Sequence, residues 1–196
     1  GTETGLYVSY SGGKFWHRFQ LNLPICPIMD LTVQGNDLVA ATAGRGFWIL
    51  DDLGFLQQSA GYLQARDPQV FRPKPTYRIA GQNVAPAGEG QNAPGGMIID
   101  YYLPPQLDTA AAKLEVLNSD GELVRRFSSL PDKEHRSYVG GPSAQPLLPS
   151  GYGIRRFCWD LRRDPIRHID GIFVLGSYEG ALVPPGDYTL RFLVGD

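Results

Sequence analysis

Hydrophobic and polar positions alternate along this chain in short runs, which is the pattern of half-buried β-strands. In the clearest run, residues 188–194, every second side chain is apolar: Tyr188, Leu190, Phe192 and Val194. Residues 97–103 alternate in the same way, and Phe157, Trp159 and Leu161 share one face of a further predicted strand. These runs predict a β domain over residues 97–196.

Turn signals recur through the first part of the chain at intervals of about ten residues. Glycine-rich turns at residues 11–13, 35–37 and 44–46 separate short apolar runs. Such spacing is typical of β-sandwiches and of propeller blades. We therefore predict an all-β fold in which residues 1–52 form a first β segment.

The segment between the two β regions is rich in proline and glycine, and we interpret residues 53–96 as a linker. Apolar spacing in residues 53–64 allows one short helix, which two glycines weaken. Residues 67–77 should be extended, because each proline disfavours helical geometry in the residue before it. Residues 81–96 contain little to bury and predict a long loop.

Composition and charge exclude several classes of partner. The chain has 196 residues, 42% of them hydrophobic, and a formal net charge of −2. No basic stripe is present to follow a phosphate backbone, so a nucleic-acid partner is not expected. No apolar run approaches the roughly 20 residues that span a bilayer, so a membrane span is not expected either. Cys26 and Cys158 fall in different predicted domains, and we expect no disulfide between them.

Residues 9–16 resemble the Asp-box of bacterial neuraminidase-repeat (BNR) propellers, a hairpin with the pattern Ser-x-Asp-x-Gly-x-x-Trp. Ser9, Ser11, Gly13 and Trp16 occupy the motif positions, with Ser11 where aspartate is usual. The resemblance implies that the polar side chain caps the turn amides and that the tryptophan packs between blades.

Residues 38–52 look like the closing blade of sortilin-like bacterial propellers, which typically run Ala-Thr-His-Gly-Arg-Ser-Phe-Trp-Val-Leu-Asp-Asp. Ala43 and Gly46 stand where histidine and serine are usual, so any polar role of that histidine is missing here. Asp51 matches the first aspartate that ends the run. The resemblance implies that the chain opens inside a propeller, whose upstream part would complete its first strand pair.

The C-terminal half resembles the immunoglobulin-like domain of flagellar hook-capping type, which often follows such propellers. Four pieces carry the resemblance: residues 99–103, 120–125, 156–161 and 183–189. Within them, Trp159, Asp160, Gly186 and Tyr188 are the expected structural motif residues. The whole chain is thus expected to hold the last one to two blades of a β-propeller followed by an immunoglobulin-like sandwich.

The candidate chemistry of the chain is sparse, and we predict no catalytic residue. Glycosidases need two carboxylates about 5 to 9.5 Å apart. Asp51 and Asp52 are adjacent at a strand end, which is typical of a turn pair. Arg45 and Trp48 are the candidate ligand-binding residues, because arginine pairs with carboxylates and tryptophan stacks on sugar rings. The histidines show no metal-ligand spacing, and neither a metal nor a cofactor is expected.

The sequence predicts a non-catalytic structural or binding segment from the C-terminal end of a bacterial, extracytoplasmic propeller protein, periplasmic or secreted. Its expected partner is the upstream remainder of the propeller, in the same chain or a separate one, with carbohydrate or peptide as the candidate ligand. Two alternatives stay open. The parent protein is a glycoside hydrolase whose catalytic acids lie upstream, or it is a sortilin-like receptor for peptides.

Overall fold

The computed structural model describes residues 1–59, 66–79 and 93–195, which divide into two compact units, Gly1–Gly61 and Tyr62–Asp196. The predicted all-β class is confirmed. Small antiparallel sheets make up both units, and the described residues include one short α-helix and one 3-10 turn. Cys26 and Cys158 are both free thiols.

The N-terminal unit contains a hairpin and a three-stranded sheet. In the hairpin, β1 (Tyr7–Val8) pairs with β2 (His17–Arg18). The sheet has the order β3-β4-β5, formed by β3 (Ile28–Gln34), β4 (Asp37–Thr42) and β5 (Phe47–Leu50). The connection from β3 to β4 is tight, since Gly35 adopts a φ of 60° that glycine tolerates best.

The two faces of the β3-β4-β5 sheet differ in burial. On one face, Trp48 lies opposite Ala40 and packs on a small core of Leu6, Leu23 and Cys26. On the other face, Ile49 lies opposite Val39, and Phe47 lies opposite Ala41. The side chains of Phe47 and Ile49 are 79% and 60% exposed. One face therefore carries the core of this unit, while large apolar side chains on the other lie open.

The segment predicted as a linker carries regular structure. Helix α1 (Gly54–Ser59) lies within the predicted helical stretch 53–64, of which residues 60–64 are outside the described residues. Strand β6 (Gln69–Val70) lies in the stretch predicted to be extended. Of the loop predicted over residues 81–96, only residues 93–96 are described. The predicted limits of the linker stay a prediction.

The C-terminal unit consists of two three-stranded antiparallel sheets. It contains β7 (Met97–Leu103), β8 (Ala112–Leu117), β9 (Leu123–Ser128), β10 (Gly153–Trp159) and β11 (Thr189–Val194). The strand orders are β10-β7-β6 and β11-β8-β9. Every strand predicted in this region is present, with limits that differ by a few residues.

One core joins the two sheets of the C-terminal unit. The ring of Tyr101 on β7 lies 4.8 Å from that of Phe192 on β11, and the rings of Phe127 on β9 and Phe157 on β10 are 4.6 Å apart. Trp159 has no exposed surface. Phe157, Trp159 and Leu161, predicted to share one face of a strand, all belong to this core, although β10 ends at Trp159 and Leu161 follows it. The alternating apolar residues of 188–194 pack half-buried against the same core.

Candidate functional site

The turn between β1 and β2 is held by two serine side chains. Ser9 Oγ accepts hydrogen bonds from the backbone amides of Gly13, at 2.8 Å, and Ser11, at 3.3 Å. Ser11 Oγ accepts from the amide of Phe15 at 2.9 Å. Serine thus caps an amide at the position where the resembled motif has aspartate. Trp16, which ends the motif, is 62% exposed.

Of the two predicted ligand-binding residues, Arg45 lies in the turn between β4 and β5, and Trp48 lies on β5. Trp48 Nε1 donates to the backbone oxygen of Arg45 at 3.0 Å, and the hydroxyl of Thr42 donates to that of Gly46 at 2.7 Å. The Trp48 side chain is half-buried and lines a cavity of only about 50 Å³. Arg45 is exposed. The contact between them joins the Trp48 side chain to the backbone of Arg45 and does not bring the two side chains together. Their role in ligand binding stays a prediction.

Asp52 is buried and ties the end of β5 to the turn between β3 and β4. Its Oδ1 accepts from Asn36 Nδ2 at 2.7 Å and from the amide of Gly54 at 2.9 Å. Its own amide donates to Asp37 Oδ1 at 2.8 Å. Asp52 also has a φ of 59°, in the left-handed region that ends the strand. These contacts give Asp52 a structural role at this turn, while the role predicted for Asp51 stays a prediction.

The C-terminal motif residues gather at the end of β10. Trp159 Nε1 donates to the backbone oxygen of Arg162 at 2.9 Å, and Asp160 Oδ1 accepts from the amide of Arg162 at 3.1 Å. Tyr188 meets the Trp159 ring edge-on at 5.7 Å and donates its hydroxyl to the oxygen of Pro184 at 2.7 Å. Gly186 lies in the turn before β11, where an added Cβ would meet no atom within 4 Å.

A charged triad crosses the outer face of the β11-β8-β9 sheet. Glu115 on β8 lies opposite Arg191 on β11 and Arg126 on β9. Glu115 Oε2 accepts from Arg191 Nε at 2.6 Å, and Oε1 accepts from Arg126 Nε at 2.9 Å. The hydrogen bond from Arg191 lowers the pKa of Glu115, helped by Arg126 and opposed by burial.

A polar cavity of about 280 Å³ lies beside β9 in the C-terminal unit. Chain segments 141–146 and 176–180 form most of its wall, and Asp160 and Arg162 line it from the end of β10. Arg125 also lines it and is only 4% exposed. This buried guanidinium is the most unusual charged group of the cavity, since arginine is rarely buried without a hydrogen-bonded carboxylate.

Sequence reasoning missed Arg125, although one signal for it exists. In an alternating strand Arg125 falls on the same face as Phe127, which is a core residue. The register shift of the β8-β9 pair skips Val124, which is buried as well, and no local pattern indicates that shift.

No protein-family model matches the chain, and no match is found among curated proteins or solved structures. In the part of the chain that the structure describes, no three His, Cys, Asp or Glu side chains are grouped to hold a metal ion. No helix among the described residues combines the length and apolar character needed to cross a membrane.

Proposed function

We propose that this chain is a non-catalytic structural and binding segment of an extracytoplasmic β-propeller protein. In this proposal residues 1–52 are the end of the propeller, and residues 97–196 form an immunoglobulin-like sandwich that follows it in the chain. The observation that carries the proposal is the open apolar face of the β3-β4-β5 sheet, with Phe47 at 79% and Ile49 at 60% exposure. Large exposed apolar side chains in one patch mark surfaces that another protein element covers.

The strand count of the N-terminal unit supports the same proposal. A propeller blade is typically a sheet of four strands. The hairpin β1-β2 has two strands, and the sheet β3-β4-β5 has three. Each is thus short of a full blade, and upstream propeller strands would complete both. A neighbouring blade would cover Phe47 and Ile49.

Two features of the C-terminal unit support the immunoglobulin-like part. Two antiparallel sheets share one core around the fully buried Trp159, and immunoglobulin domains also bury a tryptophan between their sheets. The hydroxyl of Tyr188 returns to the backbone of Pro184, four residues upstream. A tyrosine corner in β-sandwiches makes this type of contact.

The proposal is tested first on the protein isolated from its producing cell, by intact mass, N-terminal sequencing and native mass spectrometry. We expect propeller strands upstream of Gly1, in the same chain or in a chain that stays bound. A free and stable monomer that begins at Gly1 would overturn the propeller part.

A second test uses the open face. The substitutions Phe47→Ser and Ile49→Thr should weaken association with the upstream propeller while changing the free energy of unfolding of the chain by less than about 0.5 kcal/mol, since both side chains are exposed. Phe173→Ser is the matched control, because Phe173 is also 60% exposed but belongs to the C-terminal unit. Equal association of the Phe47 and control variants would contradict the proposal.

The alternative of a glycoside hydrolase is tested with a panel of chromogenic glycosides. We expect no hydrolysis by this chain. Hydrolysis that Asp51→Asn or Asp52→Asn abolishes would show that the chain is catalytic and that the proposal is wrong.

A further inference from the structure

The guanidinium of Arg125 carries a buried positive charge that lies over the ring of Phe127, 5.0 Å from its centroid, and has no hydrogen-bonded carboxylate among the described residues. It donates to the backbone oxygen of Arg163 and, at 2.6 Å, to Gln145 Oε1, and both acceptors are neutral. The carboxylate of Asp164 lies 3.8 Å from Nε, beyond hydrogen-bond distance, and its side chain is 58% exposed. Within the described residues Nε has no hydrogen-bond partner. A buried charge without a hydrogen-bonded counterion is costly, so this site favours an added anion.

The cation next to Arg125 in the cavity does not share this property. Arg162 donates to the backbone oxygen of Gly180 at 2.9 Å and pairs with the Glu179 carboxylate at 3.2 Å. Its charge is therefore already compensated. Arg125 is left as the group of the cavity that an incoming carboxylate would neutralise, through the paired N–H donors that arginine offers to carboxylates.

The other residues that line the cavity indicate which further chemical groups the ligand would have. Three prolines, Pro142, Pro146 and Pro165, provide apolar wall. Asp160 accepts a hydrogen bond from the amide of Arg162 and keeps acceptor capacity for an ammonium group. The volume of about 280 Å³ is slightly below the range of about 300–1,000 Å³ that is usual for ligand pockets, so the ligand should be small.

We infer that this cavity binds the α-carboxylate of an apolar amino acid, with the carboxylate on Arg125 and the apolar side chain against the prolines. Two sources share this chemistry: a free amino acid, whose ammonium would lie near Asp160, and the C-terminal residue of a peptide. The site lies wholly within the C-terminal unit, so the inference does not depend on the propeller proposal.

Three probes of similar size test the inference by titration of the whole chain in NMR or calorimetry. L-leucine represents the free amino acid, N-acetyl-leucine represents a peptide C-terminus, and leucinamide lacks the carboxylate. We expect saturable binding of at least one carboxylate probe and none of leucinamide. Leucine alone would indicate a free amino acid, and binding of N-acetyl-leucine would indicate a peptide C-terminus. Failure of both carboxylate probes, or equal binding of leucinamide, would overturn the inference.

Variants then locate the binding. Arg125→Lys should weaken binding of the carboxylate probe at least tenfold, because lysine keeps the charge but loses the paired donors. Since Arg125 also contacts the core, Ser143→Trp provides a second variant that fills the cavity from an exposed position. Ser119→Trp, in an exposed turn outside the cavity, is its matched control. Unchanged binding in both Arg125→Lys and Ser143→Trp would overturn the assignment.

A substitution of Asp164 should strengthen binding of the carboxylate probe instead of weakening it. Asp164→Asn removes the carboxylate that competes for Arg125, so the affinity for the probe should rise several-fold. If Arg125 and Asp164 form only a structural ion pair, the substitution leaves probe binding unchanged or weaker, and that result would count against the inference.

Discussion

Asp100 and Arg156 form a two-point ion pair across the neighbouring strands β7 and β10. Arg156 Nε donates to Asp100 Oδ1 at 2.8 Å, and Nη2 donates to Oδ2 at 2.9 Å. The Asp100 side chain is 6% exposed, and that of Arg156 is 31% exposed. The two residues lie directly opposite each other, so the pair is compatible with the observed register of the two strands.

Asp100→Asn should lower the free energy of unfolding of the C-terminal unit by about 2–3 kcal/mol. The substitution turns one acceptor into a donor that faces the guanidinium and removes the carboxylate charge opposite Arg156. Urea denaturation measures the loss. Asp120→Asn, in an exposed turn, is the control and should change the free energy by less than about 0.5 kcal/mol.

A double-mutant cycle of Asp100→Asn and Arg156→Gln separates the pair from its surroundings. The double variant should lose less than the sum of the two single losses, since each single change removes the same contact. Simple additivity would show that the two side chains do not stabilise each other.

The Glu115 triad predicts a pH dependence of stability. Hydrogen bonding to Arg191 lowers the pKa of Glu115 in the folded chain below its unfolded value. A carboxyl group with a lowered folded pKa stabilises the protein above the unfolded pKa, and that stabilisation is lost as the pH falls through the folded pKa. The free energy of unfolding should therefore decrease as the pH is lowered through the window just below the ordinary glutamate pKa, about 4.3.

Glu115→Gln should remove this part of the acid sensitivity and cost about 1–2 kcal/mol at neutral pH, less than a fully buried pair because both arginines are half exposed. Hydrogen exchange of peptides from β8 and β9 at several pH values measures both effects. Glu134→Gln, at an exposed position, is the control. An unchanged pH profile in Glu115→Gln would show that the triad does not produce the dependence.

The Ser11 cap predicts a selective effect in the β1-β2 turn. Ser11→Ala removes the acceptor for the Phe15 amide and should speed exchange of that amide about fivefold, which corresponds to about 1 kcal/mol. Ser11→Asp keeps an acceptor at the motif position and should preserve the protection. Equal exchange in the two variants would show that the side chain does not cap the turn.

The alternating pattern predicted the strands well, because burial of one face of a strand requires an apolar residue at every second position of the sequence. Residues 188–194 show this directly. The charged contacts were harder to predict from the sequence. Arg156 belongs to an arginine-rich stretch, and its partner is Asp100, 56 positions away on another strand. That pairing depends on strand register.

The Arg125 cavity could not be predicted from the sequence, for a related reason. Its wall comes from segments 141–146 and 176–180, which have no periodic pattern. Next to both segments, the amide of Val174 donates to the backbone oxygen of Gly140 at 3.2 Å, a contact between distant parts of the chain. Arg125 also lies beside the register shift of the β8-β9 pair, which no local pattern indicates. Features of this kind arise from tertiary packing.

Two variants of Asp52 test whether its carboxylate has a structural role in the turn. Asp52→Asn keeps an acceptor for Asn36 and Gly54, and asparagine tolerates the left-handed backbone at this position, so the free energy of unfolding should change by less than about 1 kcal/mol. Asp52→Ala loses the oxygen that accepts both hydrogen bonds and strains the backbone, and should cost about 2–3 kcal/mol. Thermal and urea unfolding of the two variants measure the difference. If both variants unfold like the unmodified chain, the turn does not depend on this carboxylate, and the structural interpretation of Asp52 is wrong.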